Sequence, residues 1–207
     1  LKEIEELLKN EISVDSMLKL IDQQRKVLDN KIQELESVKS YINFLGDRLK
    51  ETKKIEENKI FIKYNDERIV KKYKCILKDQ EDIELNLRKV LLESEKENWM
   101  LNSELVFEAA LDILERENKV VYTAIMLYKH ENVSEGTENV ILEKGKYLTM
   151  YYDDSYKNNL KYYKMMLDHI NKYNIEPIGN FNEFSILSRV NSKEDEKSII
   201  QLEIKIK

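Results

Sequence analysis

The sequence predicts an α+β fold: one long coiled-coil helix, then a domain in which a strand–helix–strand–strand pattern is written twice around a central cleft. Three observations predict it. Val14, Ile21, Leu28, Leu35, Ile42 and Leu49 fall on an unbroken seven-residue repeat, the spacing that gathers side chains on one stripe of a slightly under-wound helix. From Lys59 onward apolar residues alternate over short runs, the period of a strand. Two later stretches, residues 81–93 and 155–174, return to helical spacing between such runs.

The long helix covers residues 13–52. Ser13 precedes it as a cap whose hydroxyl can accept from a free N–H of the first turn. Ile21, Leu28, Leu35, Ile42 and Leu49 are the candidate dimerisation residues. The companion seam position is mixed: Leu18 and Ile32 are apolar, Arg25 and Lys39 are charged, and Gly46 is neither. Val38 and Leu45 widen the stripe. A single helix of this length cannot cover its own stripe. It packs either on the C-terminal part or, as expected here, on the same helix of a second chain.

Composition bounds the rest. A chain of 207 residues with 42% hydrophobic and 36% charged residues suffices for a long helix and one ordinary globular domain. A formal net charge of −5, with no Lys/Arg cluster, argues against nucleic-acid binding by this chain itself. No apolar run approaches the ~20 residues of a membrane span, and no signal peptide opens the sequence; a cytoplasmic location is expected. Cys75 is the single cysteine, so neither a disulfide framework nor a thiolate metal site is expected. Leu1, Ile4, Leu7 and Leu8 already lie at helical spacing, so we expect residues 1–9 to be a helix and the chain to be the C-terminal part of a longer protein.

After a charged hinge at 53–58, Ile60 and Ile62 alternate with Lys59, Phe61 and Lys63, and residues 68–75 read as a second extended piece around Val70 and Tyr73. The helix at 81–93 places Ile83, Leu87, Val90 and Leu91 on one face. Residues 105–114 and 119–128 read as two strands joined by a polar turn at 115–118. A polar loop with Gly136 follows, then a strand at 140–152 bent at Gly145. The helix at 155–174 has Leu160, Tyr163, Leu167 and Ile170 on its core face and is closed off by Pro177 and Gly179. A strand at 180–190, a polar turn at 191–197 and a strand at 199–206 end the chain.

Three segments together resemble a known family. "LKEIEELLKN" is similar to the last helix of a winged-helix DNA-binding domain. The heptad helix stands where the family has its dimerisation helix, paired as an antiparallel coiled coil. "EKGKYLTMYYDDSY", a helix and "EPIGNFNEFSI" resemble the second half of a gyrase-inhibitor-like effector-binding domain. The chain thus resembles the C-terminal portion of a MerR-type, multidrug-responsive transcription regulator. The resemblance implies residues 1–11 as the remnant of a DNA-binding domain, 12–54 as the dimerisation helix and 55–207 as the effector-binding domain. It further implies a homodimer, a lipophilic and cationic small-molecule effector, and promoter DNA and RNA polymerase as partners only of the full-length protein. No cofactor is expected.

The same resemblance marks Glu183 as the acidic residue of the effector pocket, and Tyr156 as the aromatic that follows the preceding strand. A carboxylate among aromatic rings suits a cation, which removes the cost of the buried charge while the ring faces attract it. Tyr147, Tyr151, Tyr152 and Phe181 are the further ligand-binding candidates, although strand tyrosines serve equally well as core. Alternation puts Tyr147 and Tyr151 on one face of the strand and Tyr152 on the other, and Phe181 and Ser185 on the Glu183 face. Trp99 is a lid or a core residue. Met126, Met150, Met165 and Met166 suit an adaptable pocket or ordinary packing. His130 and His169 lie far apart, and no spacing suggests a metal site, a nucleophile–base pair or a phosphate-binding loop. Two other readings stay open: a protein-binding module resembling a gyrase inhibitor, and a small hydrolase.

Overall fold

The computed structural model describes residues 13–77, 79–95, 103–129, 139–189 and 197–207. The expected helix at 1–9, Trp99, His130, the Gly136 loop and the turn after residue 190 lie outside the described residues, as does the side chain of Tyr156. The chain divides into two compact units between Ser40 and Tyr41.

The long helix, α1, is unbroken over Val14–Lys54. Its 41 residues at the α-helical rise make it about 60 Å long. Ser13 caps it: the Ser16 N–H donates to the Ser13 hydroxyl at 3.3 Å. Within the first unit, Val14, Ile21, Leu28 and Leu35 are all more than half exposed, Leu35 at 68%. Among the described residues of this unit the apolar stripe is therefore uncovered.

The second unit contains the last turns of α1 and an antiparallel sheet. Eight strands are described: β1 Ile60–Asn65, β2 Arg68–Leu77, β3 Ser103–Ala109, β4 Tyr122–Lys129, β5 Asn139–Leu142, β6 Gly145–Asp154, β7 Pro177–Arg189 and β8 Lys197–Ile206. Their order across the sheet is β1-β6-β8-β7-β3-β4-β2-β5. Helices α2 (Gln80–Glu95), α3 (Leu111–Glu117) and α4 (Asn159–Tyr173) complete the unit. The connection from α1 to β1 is short and tied down: Asn58 adopts a left-handed φ of 62° and its N–H donates to the Tyr151 carbonyl at 3.0 Å.

Two expectations are corrected. Residues 105–114 are not one strand: the strand stops at Ala109, and Leu111–Glu117 is a helix closed by Asn118 in the left-handed region. Leu111 and Leu114, three apart, share one helical face and pack against the core, so the apolar run is half strand and half helix. Nor is 140–152 one bent strand. Gly145, at φ +149°, opens β6 in a conformation that side chains rarely adopt. Before it β5 pairs with β2, and after it β6 pairs with β1 and β8. Asp154 then leads into α4, accepting from the Ser155 N–H at 2.7 Å and from Asn158 Nδ2 at 3.0 Å.

Strand alternation gives the sheet two different faces. One carries Leu148, Met150, Ile200, Leu202 and Phe181 and is covered by the apolar sides of α2 and α4, forming the main core. The other carries a small apolar patch around Val106, Met126 and Phe184 and a buried polar network. In that network Arg68 Nη2 meets Glu203 Oε1 at 2.6 Å, with the carboxylate fully buried. Asn65 and Gln201 amides complete the carboxylate's bonding at 2.9 and 2.6 Å.

Removing one partner of a buried ion pair leaves an uncompensated charge. Arg68→Met should therefore cost about 3 kcal/mol or more in urea unfolding. Asp47→Ser, which breaks a pair whose side chains are 73% and 76% exposed, should leave the urea midpoint unchanged.

Candidate functional site

The sequence "GNFNEFSI" runs through the middle of β7, between β8 and β3. Glu183 stands opposite Phe107 on one side and Leu202 on the other, on the helix-covered face, and is 4% exposed. Its Oε2 accepts from the Tyr163 hydroxyl at 2.6 Å and from the Tyr122 hydroxyl at 3.0 Å. Tyr163 comes from α4 and Tyr122 from β4. Asn159, the first residue of α4, donates its Nδ2 to the Tyr122 oxygen at 2.8 Å. Rings close the surroundings: Phe107 lies against Tyr122 at 4.9 Å between centroids, and Phe181 meets Tyr163 edge-on at 5.3 Å. Tyr152 stacks on Tyr162 at 3.8 Å. The Tyr152 hydroxyl is near enough to act on Glu183 but makes no hydrogen bond of ordinary geometry.

Burial pushes the Glu183 carboxyl above its ordinary range, and the hydroxyls of Tyr163 and Tyr122 oppose the shift without cancelling it. Burial and the charge of Glu183 push Tyr122 and Tyr163 well above the usual phenol range, so both remain donors at neutral pH. Among the described residues no lysine or arginine pairs with Glu183. The group is a carboxylate taken out of water, held by two hydroxyls and lined by aromatic rings. Such a group has the chemistry to take up a cation.

Glu183, Tyr152 and Phe181 thus come together on one face. Tyr147 and Tyr151 do not join them, because alternation sends their side chains through to the other face. There the Tyr151 hydroxyl donates to Gln201 Oε1 at 2.9 Å and accepts from Lys63 at 3.2 Å, and the Tyr147 hydroxyl donates to the Glu143 carbonyl at 2.6 Å. Ser185 hydrogen-bonds with Ser188. Met150 and Met166 are core residues of the Glu183 face, whereas Met126 lies on the other. His169 sits beside Tyr173 at 4.5 Å. Among the described residues no group of three acidic, histidine or cysteine side chains could hold a metal ion.

Sequence reasoning missed Tyr122 and Asn159, and placed Tyr163 on the core face of α4 without a role. The signal was the hydroxyl: a tyrosine on a fully buried face needs a partner, and Glu183 is the acceptor its neighbours supply.

A carboxyl whose pKa is raised by folding contributes most below its unfolded pKa, and that contribution is lost as pH rises through the folded value. At neutral pH the buried charge therefore weakens the fold. Glu183→Gln should be more stable than the wild type at about pH 8. The difference should shrink towards zero by about pH 4, measured as paired urea unfolding curves.

No family model matches the sequence, and no curated protein does. Solved structures share its fold. A crystal structure of the EcmrR C-terminal domain is 9% identical, matches 72% of this chain and 97% of its own, and superposes with a TM-score of 0.54. A cryo-EM structure of an EcmrR–DNA complex in EcmrR-RPo is 13% identical, matches 100% of this chain and 77% of its own, and has a TM-score of 0.52. SAV2435 bound to tetraphenylphosphonium, 12% identical over 72% of this chain and 94% of its own, has a TM-score of 0.44, too distant in shape to inform the site.

Proposed function

We propose that this chain is the effector-sensing and dimerisation portion of a MerR-type transcription regulator, and that it binds a lipophilic cation at Glu183. The observation that carries the reading is the carboxylate itself: 4% exposed, without a cationic partner among the described residues, and ringed by Tyr122, Tyr163, Tyr152 and Phe181. A bound cation would remove the desolvation cost that the two hydroxyls only reduce. Since both tyrosines bonded to Glu183 are buried, a ligand reaches the carboxylate by displacing side chains of β4 and α4. The fold shared with the EcmrR C-terminal domain, and with EcmrR in its DNA complex, supports the same assignment.

The proposed organisation assigns residues 1–11 to the end of a DNA-binding domain, 12–54 to the dimerisation helix and 55–207 to the effector domain. The domain itself reads as two copies of one unit. The succession β2–α2–β3–β4 is matched by β6–α4–β7–β8, and the strand order β5-β2-β4-β3 of one half mirrors β1-β6-β8-β7 of the other. The exposed stripe of α1 supports a homodimer through that helix. Leu28→Asp and Leu35→Asp should each make the chain monomeric in sedimentation while the sheet stays folded by circular dichroism. A dimer that survives both would move the interface elsewhere.

The sensing role is tested by calorimetry with aromatic cations and their neutral isosteres, on this chain and on Glu183→Gln. Binding that prefers the cations and weakens by roughly tenfold or more in the variant, about 1.4 kcal/mol, is the expected result. Binding indifferent to Glu183 would remove the acidic pocket and favour the alternative reading of a protein-binding module resembling a gyrase inhibitor.

A further inference from the structure

The sheet face opposite Glu183 holds a side chain that the site does not use. Arg48 lies in the last turns of α1, within the same compact unit as the sheet. Its Nε and Nη2 donate to the two carboxylate oxygens of Glu104, at 3.2 and 3.3 Å, and its Nη1 donates to Gln201 Oε1 at 2.5 Å. Glu104 is on β3 and Gln201 on β8. The strand between those two is β7. One guanidinium therefore spans β7 and grips both of its neighbours, and Glu104 is almost fully buried beneath it.

What lies under the guanidinium is Phe184, the residue after Glu183. Arg48 Cζ stands 6.0 Å from its ring centroid, Arg68 Cζ stands 5.1 Å from it, and Tyr128 meets it edge-on at 6.1 Å. Alternation makes the pair inseparable: Glu183 points into the helix-covered core while Phe184 points at the arginines. The pairing of β7 with β8 shifts register twice, between Ile178 and Asn182 and again between Ser185 and Leu187. On the β8 side residues 182–185 thus form a short stretch bounded by breaks in the ladder, while on the other side residues 181–185 pair with β3 in unbroken register, so a shift of this stretch relative to β8 moves with β3 and need not unpair the whole strand.

We infer that Arg48 is a latch between the effector site and α1: displacement of residues 182–185 at Glu183 moves Phe184 against Arg48 and alters the hold of the Glu104–Gln201 grip on the last turns of the helix. Arg48 is a positioning residue in this scheme, because it touches no ligand. The helix it holds is the one that carries the heptad stripe. The inference rests on the proposed role of Glu183, but the latch requires only that a change at Glu183 be felt at residue 48. The network also offers the two states that such coupling needs. With the fork seated, Arg48 bonds both Glu104 and Gln201; with it withdrawn, Gln201 keeps the Tyr151 hydroxyl, and the guanidinium can turn into the adjoining cavity of about 450 Å³ that Arg48, Arg68, Phe184 and Gln201 help to line.

The test is backbone hydrogen exchange over residues 41–54, read by mass spectrometry on the whole chain. Two perturbations are applied at the site: saturating tetraphenylphosphonium, with tetraphenylmethane as the neutral control, and the substitution Glu183→Gln without ligand. Each is measured in the wild type, in Arg48→Lys, which keeps the charge but loses the fork, and in Phe184→Leu. Circular dichroism checks that the variants are folded. The expected result is that Glu183→Gln changes exchange in residues 41–54 by about threefold or more, and that Arg48→Lys and Phe184→Leu each reduce the change by at least about half. Reciprocity adds a readout that a merely structural arginine would not move. If the cation binds, Arg48→Lys should alter its affinity without touching the site. A cation that binds through Glu183 while residues 41–54 stay unmoved would overturn the latch and leave the site standing. No cation binding, together with a Glu183→Gln effect that needs Arg48, would support the latch and remove the cation. Exchange in residues 41–54 indifferent to both perturbations would overturn the latch.

Discussion

The structure turns on a carboxylate that has been taken out of water with no cation among the described residues to meet it. Burying an ionised group is expensive, and proteins usually pair it, neutralise it or leave it exposed. At Glu183 the compensation is two tyrosine hydroxyls from different elements, one on β4 and one on α4. The tyrosines are held in turn: Asn159 fixes Tyr122 from the start of α4, and Phe181 closes on Tyr163. The main core is therefore not purely apolar. Its centre is a polar knot that leaves room, electrostatically, for one positive charge.

The opposite face solves the same problem in the opposite way. Glu104 and Glu203 are as buried as Glu183, yet each has its own arginine. Amides of Asn65 and Gln201 take up the remaining lone pairs of Glu203. The carboxylate of Glu203 is satisfied, although Arg68 Nε is buried without a hydrogen bond, and such a buried network fixes geometry more than it adds net stability. The contrast between the faces is informative. Three buried carboxylates share one sheet, and only the one under α4 lacks a cation among the described residues. Nothing in the folding of such a sheet requires that asymmetry, and the proposed cation site would account for it.

Much of this was legible in the sequence, for reasons that particular residues show. The heptad of α1 is long and regular enough that no other element matches it. Tyr152 and Phe181 could be set beside Glu183 because alternation along a strand is geometrically strict. The same rule, followed through, takes Tyr147 and Tyr151 away from it. What alternation could not supply was the third dimension. Tyr122 reaches Glu183 only because β4 lies two strands from β7, and no spacing along the chain states that order. The run from Leu105 to Leu114 misled for a different reason. A short apolar stretch carries no period of its own, and Leu111 and Leu114 serve a helix as well as they would a strand. Arg48 was hidden most deeply. In a heptad reading it is one more charge on the solvated side of a helix, and only the sheet beneath residues 41–54 shows that side to be covered.

That last point bears on why an arginine stands there. A lysine would bring the same charge to Glu104, but as a single point with donors that rotate freely. The guanidinium is a rigid fork: two of its N–H groups match the two oxygens of Glu104, and a third is directed to Gln201 at a fixed angle from the first two. Only such a group can register the separation of β3 and β8 as one quantity, because it loses a bond if either strand moves relative to the other. Stability would not call for this, since apolar residues of similar volume commonly replace a buried ion pair at no cost. A helix end fastened across the two neighbours of the strand that carries Glu183 is better explained by transmission than by strength. On the proposed reading, one demand accounts both for the fork on the polar face and for a Glu183 held on the other by hydroxyls alone, with no cation among the described residues.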